Sequence, residues 1–238
     1  MRLYLASTSP ARLALLRQVG IEPVVVPSFV DEEAAVVAAE SVDGPLSAPE
    51  LVQLLARLKA EAVLDARPGG EPIDGFILGG DSAFEFDGAI YGKPHLPEVA
   101  RDRWRRQRGR SGVLHSGHWL IDRRQDAEKT VPPSESGAVA AASAVGLGAA
   151  VAVDALGAVG AVDAATVEFA ADISDAEIDA YVASGEPLEV AGAFTIDGLA
   201  APFIRSIDGA PSAVIGMSLP ALRTMLGRFG LTYTDFWH

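Results

Sequence analysis

Asp81 closes the run Gly75-Phe76-Ile77-Leu78-Gly79-Gly80, and a carboxylate aimed by a buried apolar strand suits a general base or a metal ligand. The two glycines before it would let a backbone approach a ligand closely. The plainer reading is an Asp that begins a turn. Arg12 follows Ser7-Thr8-Ser9-Pro10, where hydroxyls, a cation and the open N–H groups of a helix start would together receive phosphate. Without an anion, a cation in that first turn opposes the helix dipole. Glu32 sits in Asp31-Glu32-Glu33 at the expected end of a strand, as a cation ligand or as surface charge. Lys59, beside Leu58 in a helical pattern, and Lys93, in Gly92-Lys93-Pro94, each read alone as solvated side chains. His115 and His118 stand three apart in an expected strand, with no further His or Cys to complete a zinc set.

These residues need elements to hold them. Leu3 to Ser7 reads as a short strand, followed by a helix with Ser9 as N-cap, Pro10 in the first turn and Gly20 as the stop. Ile21 to Phe29 is β-branched and apolar, a second strand, and residues 34–47 read as a loop or weak helix. Ala48 to Ala66 has helical periodicity, with Leu51, Leu54, Leu55, Leu58 and Ala62 as the expected buried face. A strand carries Asp81 and turns at Asp87-Gly88 into a hairpin. A basic helix over Glu98 to Arg108 and a strand over Ser111 to Asp122 follow.

Residues 123–165 change character, with Ser136 to Ala165 almost wholly Ala, Gly and Val; they read as a flexible connection, too weakly apolar to span a membrane. A strand resumes at Thr166, and Ser174 with Glu177 forms a capping box for a helix to Ala183. Short strand-like pieces at Ala193–Ile196, Phe203–Ile207 and Val214–Ile215 precede a last amphipathic helix, Leu219 to Phe229. Mixed strands and helices in this order indicate an α/β or α+β sheet with helices packed on it.

The 238 residues suffice for one large domain or two small lobes. A formal charge of −13 argues against a nucleic-acid polymer as partner, while a local Lys/Arg cluster could still hold a triphosphate with a bridging metal. With no cysteine, disulfides, thiolate catalysis and Cys-ligated metals are excluded. The opening MRLYLAS lacks the pattern of an export signal, so a cytoplasmic location is expected. P-loop and G-x-S-x-G motifs are absent, which removes support for the usual ATPase and serine-hydrolase readings.

The segments LASTSPARLALL, LKAEA, GGDSAFEFDGAIYGKP, GRSGVLHSGH, TVEF, YVASGEPLEVAGAFTIDG and FIRSIDGAPSAVIGMSLPAL resemble, in order, the Maf family of nucleoside triphosphate pyrophosphatases, also called septum-formation proteins. Only residues 123–165 fall outside the resemblance. It implies a single Maf/inosine-triphosphatase-like α/β domain over 1–238, with an elongated mixed sheet and two lobes around a deep cleft, often dimeric. It implies hydrolysis between the α and β phosphates with a divalent cation, Mg²⁺ or Mn²⁺. The family's proton acceptor then falls on Asp81, its phosphate cradle on Ser7 and Arg12, its charge-neutralising lysines on Lys59 and Lys93, and a metal- or water-holding acid on Glu32.

Three positions depart from the family pattern. Ala11 replaces an Arg, Ser82 a Thr and Asp197 a Gln, and these positions help set base preference in the branch that prefers dTTP and UTP. A methyl and a carboxylate there remove or reverse hydrogen-bond donors, which puts uracil or thymine preference in doubt. Two other functions compete with a Maf-type pyrophosphatase. One is a non-catalytic nucleotide-binding regulator of cell division; the other is an inosine-triphosphate pyrophosphatase, which would lack the S-x-S-P opening.

Overall fold

The computed structural model describes residues 1–124 and 157–237. Among them, seven strands form one mixed sheet: β1 (Leu3–Leu5), β2 (Val24–Val25), β3 (Phe76–Phe86), β4 (Ala89–Tyr91), β5 (Ser111–Asp122), β6 (Ala158–Phe169) and β7 (Ile204–Asp208). The order across the sheet is β2-β1-β3-β5-β6-β7, with β4 added to the far half of β3. Strands β2, β1 and β3 are parallel; the remaining pairings are antiparallel. The helices are α1 (Pro10–Gln18), α2 (Glu32–Asp43), α3 (Ala48–Glu61), α4 (Pro97–Gln107), α5 (Asp175–Ala183), α6 (Pro211–Ile215) and α7 (Leu219–Arg228).

The chain leaves β1 in one direction to reach β2 and returns past it to reach β3. Right-handed crossovers then require the two connections to lie on opposite faces of the sheet. They do. An added Cβ at Gly80 would stand 3.3 Å from Nε of Arg12 on α1, whereas one at Gly79 would stand 2.1 Å from the Ala56 carbonyl of α3. Successive strand residues point to opposite faces, so the two glycines before Asp81 each admit one helix. The C-terminal end of β1 is therefore a topological switch point, where open parallel sheets bind their ligands.

On the face of α1 and α7, the sheet carries two apolar clusters. One gathers Phe76, Leu78, Leu120, Val159 and Ala161 beneath Leu16, Leu222 and Met225. The other gathers Phe84, Leu114, Val167 and Phe169 with Trp104 and Phe194. Between them runs a polar band: Gly80 and Ser82 on β3, His118 and Ser116 opposite them on β5, and Asp163 on β6. Helix α6 packs over β5 and β6 and against α1, and so lies across this band.

The local signals act as expected at several boundaries. Ser9 caps α1, Ser174 and Glu177 form the capping box of α5, and Asp87 (φ +53°) with Gly88 (φ +71°) makes the primed hairpin turn. Other expectations are corrected. The second strand shrinks to Val24–Val25, and residues 32–43 form a full helix because Asp31 accepts from the Ala34 N–H while Glu32 and Glu33 complement the dipole. Residues 158–165, read as the end of a flexible connection, are the first two-thirds of β6; the rest of that expectation, residues 125–156, lies outside the described residues. Val214–Ile215 belongs to α6, and Ala193–Ile196 pairs with no strand among the described residues.

The buried face of α3 is also rotated from the expected one. Ala48, Val52, Leu55, Ala56, Lys59 and Ala60 are buried, and Ala62 is exposed. Gly79 and Gly117 open grooves in the sheet, and small residues let the helix settle into them backbone first. The larger Leu51, Leu54 and Leu58 are left at the flanks, half-buried. This rotation brings Lys59 inward.

Candidate active site

Asp81 lies at the middle of β3 and not at its end. It is nevertheless at an edge, because β1 stops at Leu5, opposite Leu78, and among the described residues the next part of β3 has no partner on that side until Phe84 pairs with Tyr91 of β4. Asp81 faces α3, where its Oδ1 receives the Lys59 ammonium at 2.7 Å. The same ammonium meets Glu32 Oε1 at 2.7 Å. Lys59 is thus no solvated side chain: it is buried, and it joins two carboxylates. Glu32 stands in the first turn of α2 and not at a strand end; half of its side chain is exposed.

Arg12 occupies the opposite face of the same edge and is also buried. Its Nε donates to the Gly216 carbonyl at 2.8 Å, its Nη1 to Ser7 Oγ at 3.3 Å and its Nη2 to Ser82 Oγ at 3.1 Å. Ser82 Oγ donates to the same Gly216 carbonyl at 3.3 Å, and Ser7 Oγ accepts the Ser9 N–H at 3.1 Å. Among the described residues, every hydrogen-bond partner of Arg12 is neutral. A buried guanidinium satisfied in geometry but not in charge is a receptor for an anion.

Burial pushes the Asp81 carboxyl above its usual value, against the pull of Lys59 and Arg12, and nearby Glu32 adds to the rise. Burial likewise draws Arg12 below its ordinary value, opposed by Asp81 and Glu32, though it remains a cation. An acid held above the carboxylate range beside two cations is the environment in which a base takes a proton during reaction.

Ser7, Arg12, Glu32, Lys59, Asp81 and Ser82 therefore converge. Ala11 is next to them, half-buried in the first turn of α1. Lys93 stands apart: it lies two residues beyond Tyr91 of β4, is half exposed, and meets Glu189 at 3.9 Å. Asp197 is exposed on a loop gathered by Glu186, which accepts from the Tyr181 and Thr195 hydroxyls and the Leu199 N–H. Neither touches the central cluster. Sequence spacing gave no sign of Gly216, whose carbonyl braces Arg12 from 204 residues away.

His118 is a fully buried side chain within the polar band. Burial pulls its imidazole down to about 4 from an ordinary 6.5. The native state then binds fewer protons than the unfolded chain between those values, so this group stabilises the fold above pH 6.5 and loses that contribution as pH falls toward 4. Thermal melts across this window should lose on the order of 3 kcal/mol from His118 alone. A His118→Leu variant should show a correspondingly flatter acid limb.

Among the described residues no group of three or more His, Cys, Asp or Glu side chains could hold a metal. Two acids converging on one positive charge do match Mg²⁺, which is held by one or two carboxylates and completes its shell with water and substrate phosphate.

A family model described as Maf-like protein matches residues 2–143 and 137–229. A protein of Leifsonia xyli named nucleoside triphosphate pyrophosphatase is 59% identical over 238 residues, covering 100% of this chain and 97% of its own. Proteins of the same name from Salinispora tropica and Corynebacterium efficiens are 45% and 40% identical, each over 100% of this chain and over 88% and 99% of their own.

Proposed function

The chain belongs to the Maf family, and from that premise we propose that it hydrolyses nucleoside triphosphates between the α and β phosphates, giving a monophosphate and pyrophosphate. One observation carries the assignment of the site: a buried guanidinium with neutral partners stands across one strand edge from a carboxylate held by lysine. Along β3 this edge lies between Leu78 of one apolar cluster and Phe84 of the other, and we place the substrate cleft at the edge itself, outside the buried band that α6 covers.

In this reading Arg12, Ser7 and the open N–H groups of α1 receive the phosphates, and Lys59 exchanges its carboxylate partners for phosphate oxygen as substrate enters. Lys93, exposed and loosely paired, supplies a further charge from the β4 side. Asp81 orients a water in line with the α-phosphorus and takes its proton as the new P–O bond forms. The bond from the α-phosphorus to the bridging oxygen breaks, and pyrophosphate leaves with the bridging electron pair. Asp81 and Glu32 would hold Mg²⁺ or Mn²⁺ against the substrate, and the ion would neutralise phosphate charge. Ala11, Ser82 and Asp197 are the positions at which base preference is set. Nucleoside triphosphates are cytoplasmic metabolites, and the enzyme would work in the cytoplasm beside them. No helix among the described residues is long and apolar enough to cross a membrane.

Incubating the protein with a panel of normal and modified nucleoside triphosphates and Mg²⁺ or Mn²⁺ should yield one pyrophosphate per monophosphate, with no orthophosphate. Orthophosphate and a diphosphate would move the cleavage to the γ position and defeat the proposal. Tight binding without turnover would indicate a sensor instead.

A further inference from the structure

His118 and Asp163 take no part in the hydrolysis proposed above, yet both are almost completely buried on the interior of the sheet. Such groups cost desolvation, and an apolar pair would continue the flanking clusters without that cost. Their hydrogen bonds say what they do instead. His118 Nδ1 is 3.2 Å from the Ala161 carbonyl, which can only accept, so this nitrogen carries the proton. Nε2 is then an acceptor, and the Ser218 N–H donates to it at 2.8 Å. The Ser218 hydroxyl donates to Asp163 Oδ2 and accepts the Ala221 N–H at 3.1 Å, capping α7. Asp163 Oδ1 accepts the Ala164 N–H at 2.8 Å.

Residue 218 is thus gripped twice from the sheet, by its backbone from β5 and by its side chain from β6. Two residues upstream, Gly216 adopts φ +142°, a backbone that favours glycine, and its carbonyl receives both Arg12 Nε and Ser82 Oγ. Capping α7 requires Ser218 alone; His118 and Asp163 are surplus to that task.

We propose that His118 and Asp163 are positioning residues: through Ser218 they fix the Gly216 carbonyl, and that carbonyl sets the angle at which Arg12 meets phosphate. The inference rests on reading Arg12 as a phosphate ligand. The polar band is therefore a brace that crosses the sheet from Asp163 to the substrate edge. The α6–α7 turn is held by packing as well, with Val214 at the end of α6 in one apolar cluster and Met217 of the turn in the other; the brace adds orientation.

A double-mutant cycle tests this, with pyrophosphate release as the readout. His118→Leu should raise KM and lower kcat/KM by on the order of tenfold to a hundredfold. His118→Gln, whose carbonyl can accept the Ser218 N–H, should recover most of the loss. In an Arg12→Ala background, His118→Leu should cost nothing more, because the residue it acts through is gone. Equal losses in both backgrounds, or no loss in the wild-type background, would overturn the proposal. If Arg12→Ala alone leaves the kinetics unchanged, the phosphate reading of Arg12 fails and the brace fails with it. Should His118→Leu not fold, Ser218→Ala is carried through the same cycle with the same expected non-additivity.

Discussion

Replacing Asp81 by Asn should lower kcat by about 10²–10⁴-fold while leaving KM within about threefold. The change keeps the shape of the side chain and removes its ability to take a proton. Lys59 would retain Glu32, Arg12 would keep all its hydrogen bonds, and at saturating Mg²⁺ Glu32 and the amide oxygen at position 81 would still hold the cation, so substrate should still be held. Stability separates lost chemistry from lost fold. Burial raises the Asp81 carboxyl above its ordinary value, so the native state binds more protons than the unfolded chain over the interval between the two. Folding therefore loses stability as pH rises through that interval, and above it the charged carboxylate is a net burden. An uncharged asparagine relieves it. The variant should melt at the wild-type temperature or above it, a site in which function is bought with stability. Near-normal pyrophosphate release in this variant would remove Asp81 from the reaction.

How much of this was legible in the sequence depends on whether the signal was local. The bounds of β5 were readable because apolar strand residues run between polar flanks at Ser111 and Asp122. The start of α5 was readable because a capping box is complete within four residues. Arg12 stands out because a cation in the first turn of a helix sits badly in a purely structural account, and Asp81 because an apolar run and two glycines lead up to it. Lys59 does not, since its burial comes from the two glycines of other strands that turn α3 on its axis. Residues 158–165 read as linker because Ala, Gly and Asp outnumber the two valines and carry little strand signal, and pairing with β5 supplies what propensity lacks. Glu32 reads as an acid at a strand end, but that strand stops at Val25, four residues short of Phe29, and Asp31 starts a helix. The brace through Gly216, Ser218 and His118 depends on contacts 100 residues or more apart in the chain. No spacing rule reaches that far.

The same glycines make the second large prediction. At Gly79 an added Cβ would lie 2.1 Å from the Ala56 carbonyl oxygen and 2.9 Å from the Ala60 nitrogen; at Gly117 it would lie 2.3 Å from the Val52 carbonyl. These obstacles are helix backbone, which cannot swing aside as a side chain can. A single methyl must therefore lift α3 off the sheet as a body. Gly79→Ala should cost upwards of about 4 kcal/mol, a mechanism-specific extreme for a point change, and lower the melting temperature by about 10 °C or more. Lys59 sits on the displaced face, three residues beyond Ala56, so activity should fall more steeply than the folded fraction does. Gly227→Ala is the control. It lies in α7 with nothing among the described residues within 4 Å of its added Cβ, and alanine there should stabilise by roughly 0.5–1 kcal/mol. Wild-type melting and kinetics in Gly79→Ala would mean that α3 is not seated directly on the sheet backbone. The position of Lys59 between Asp81 and Glu32 would then need another cause.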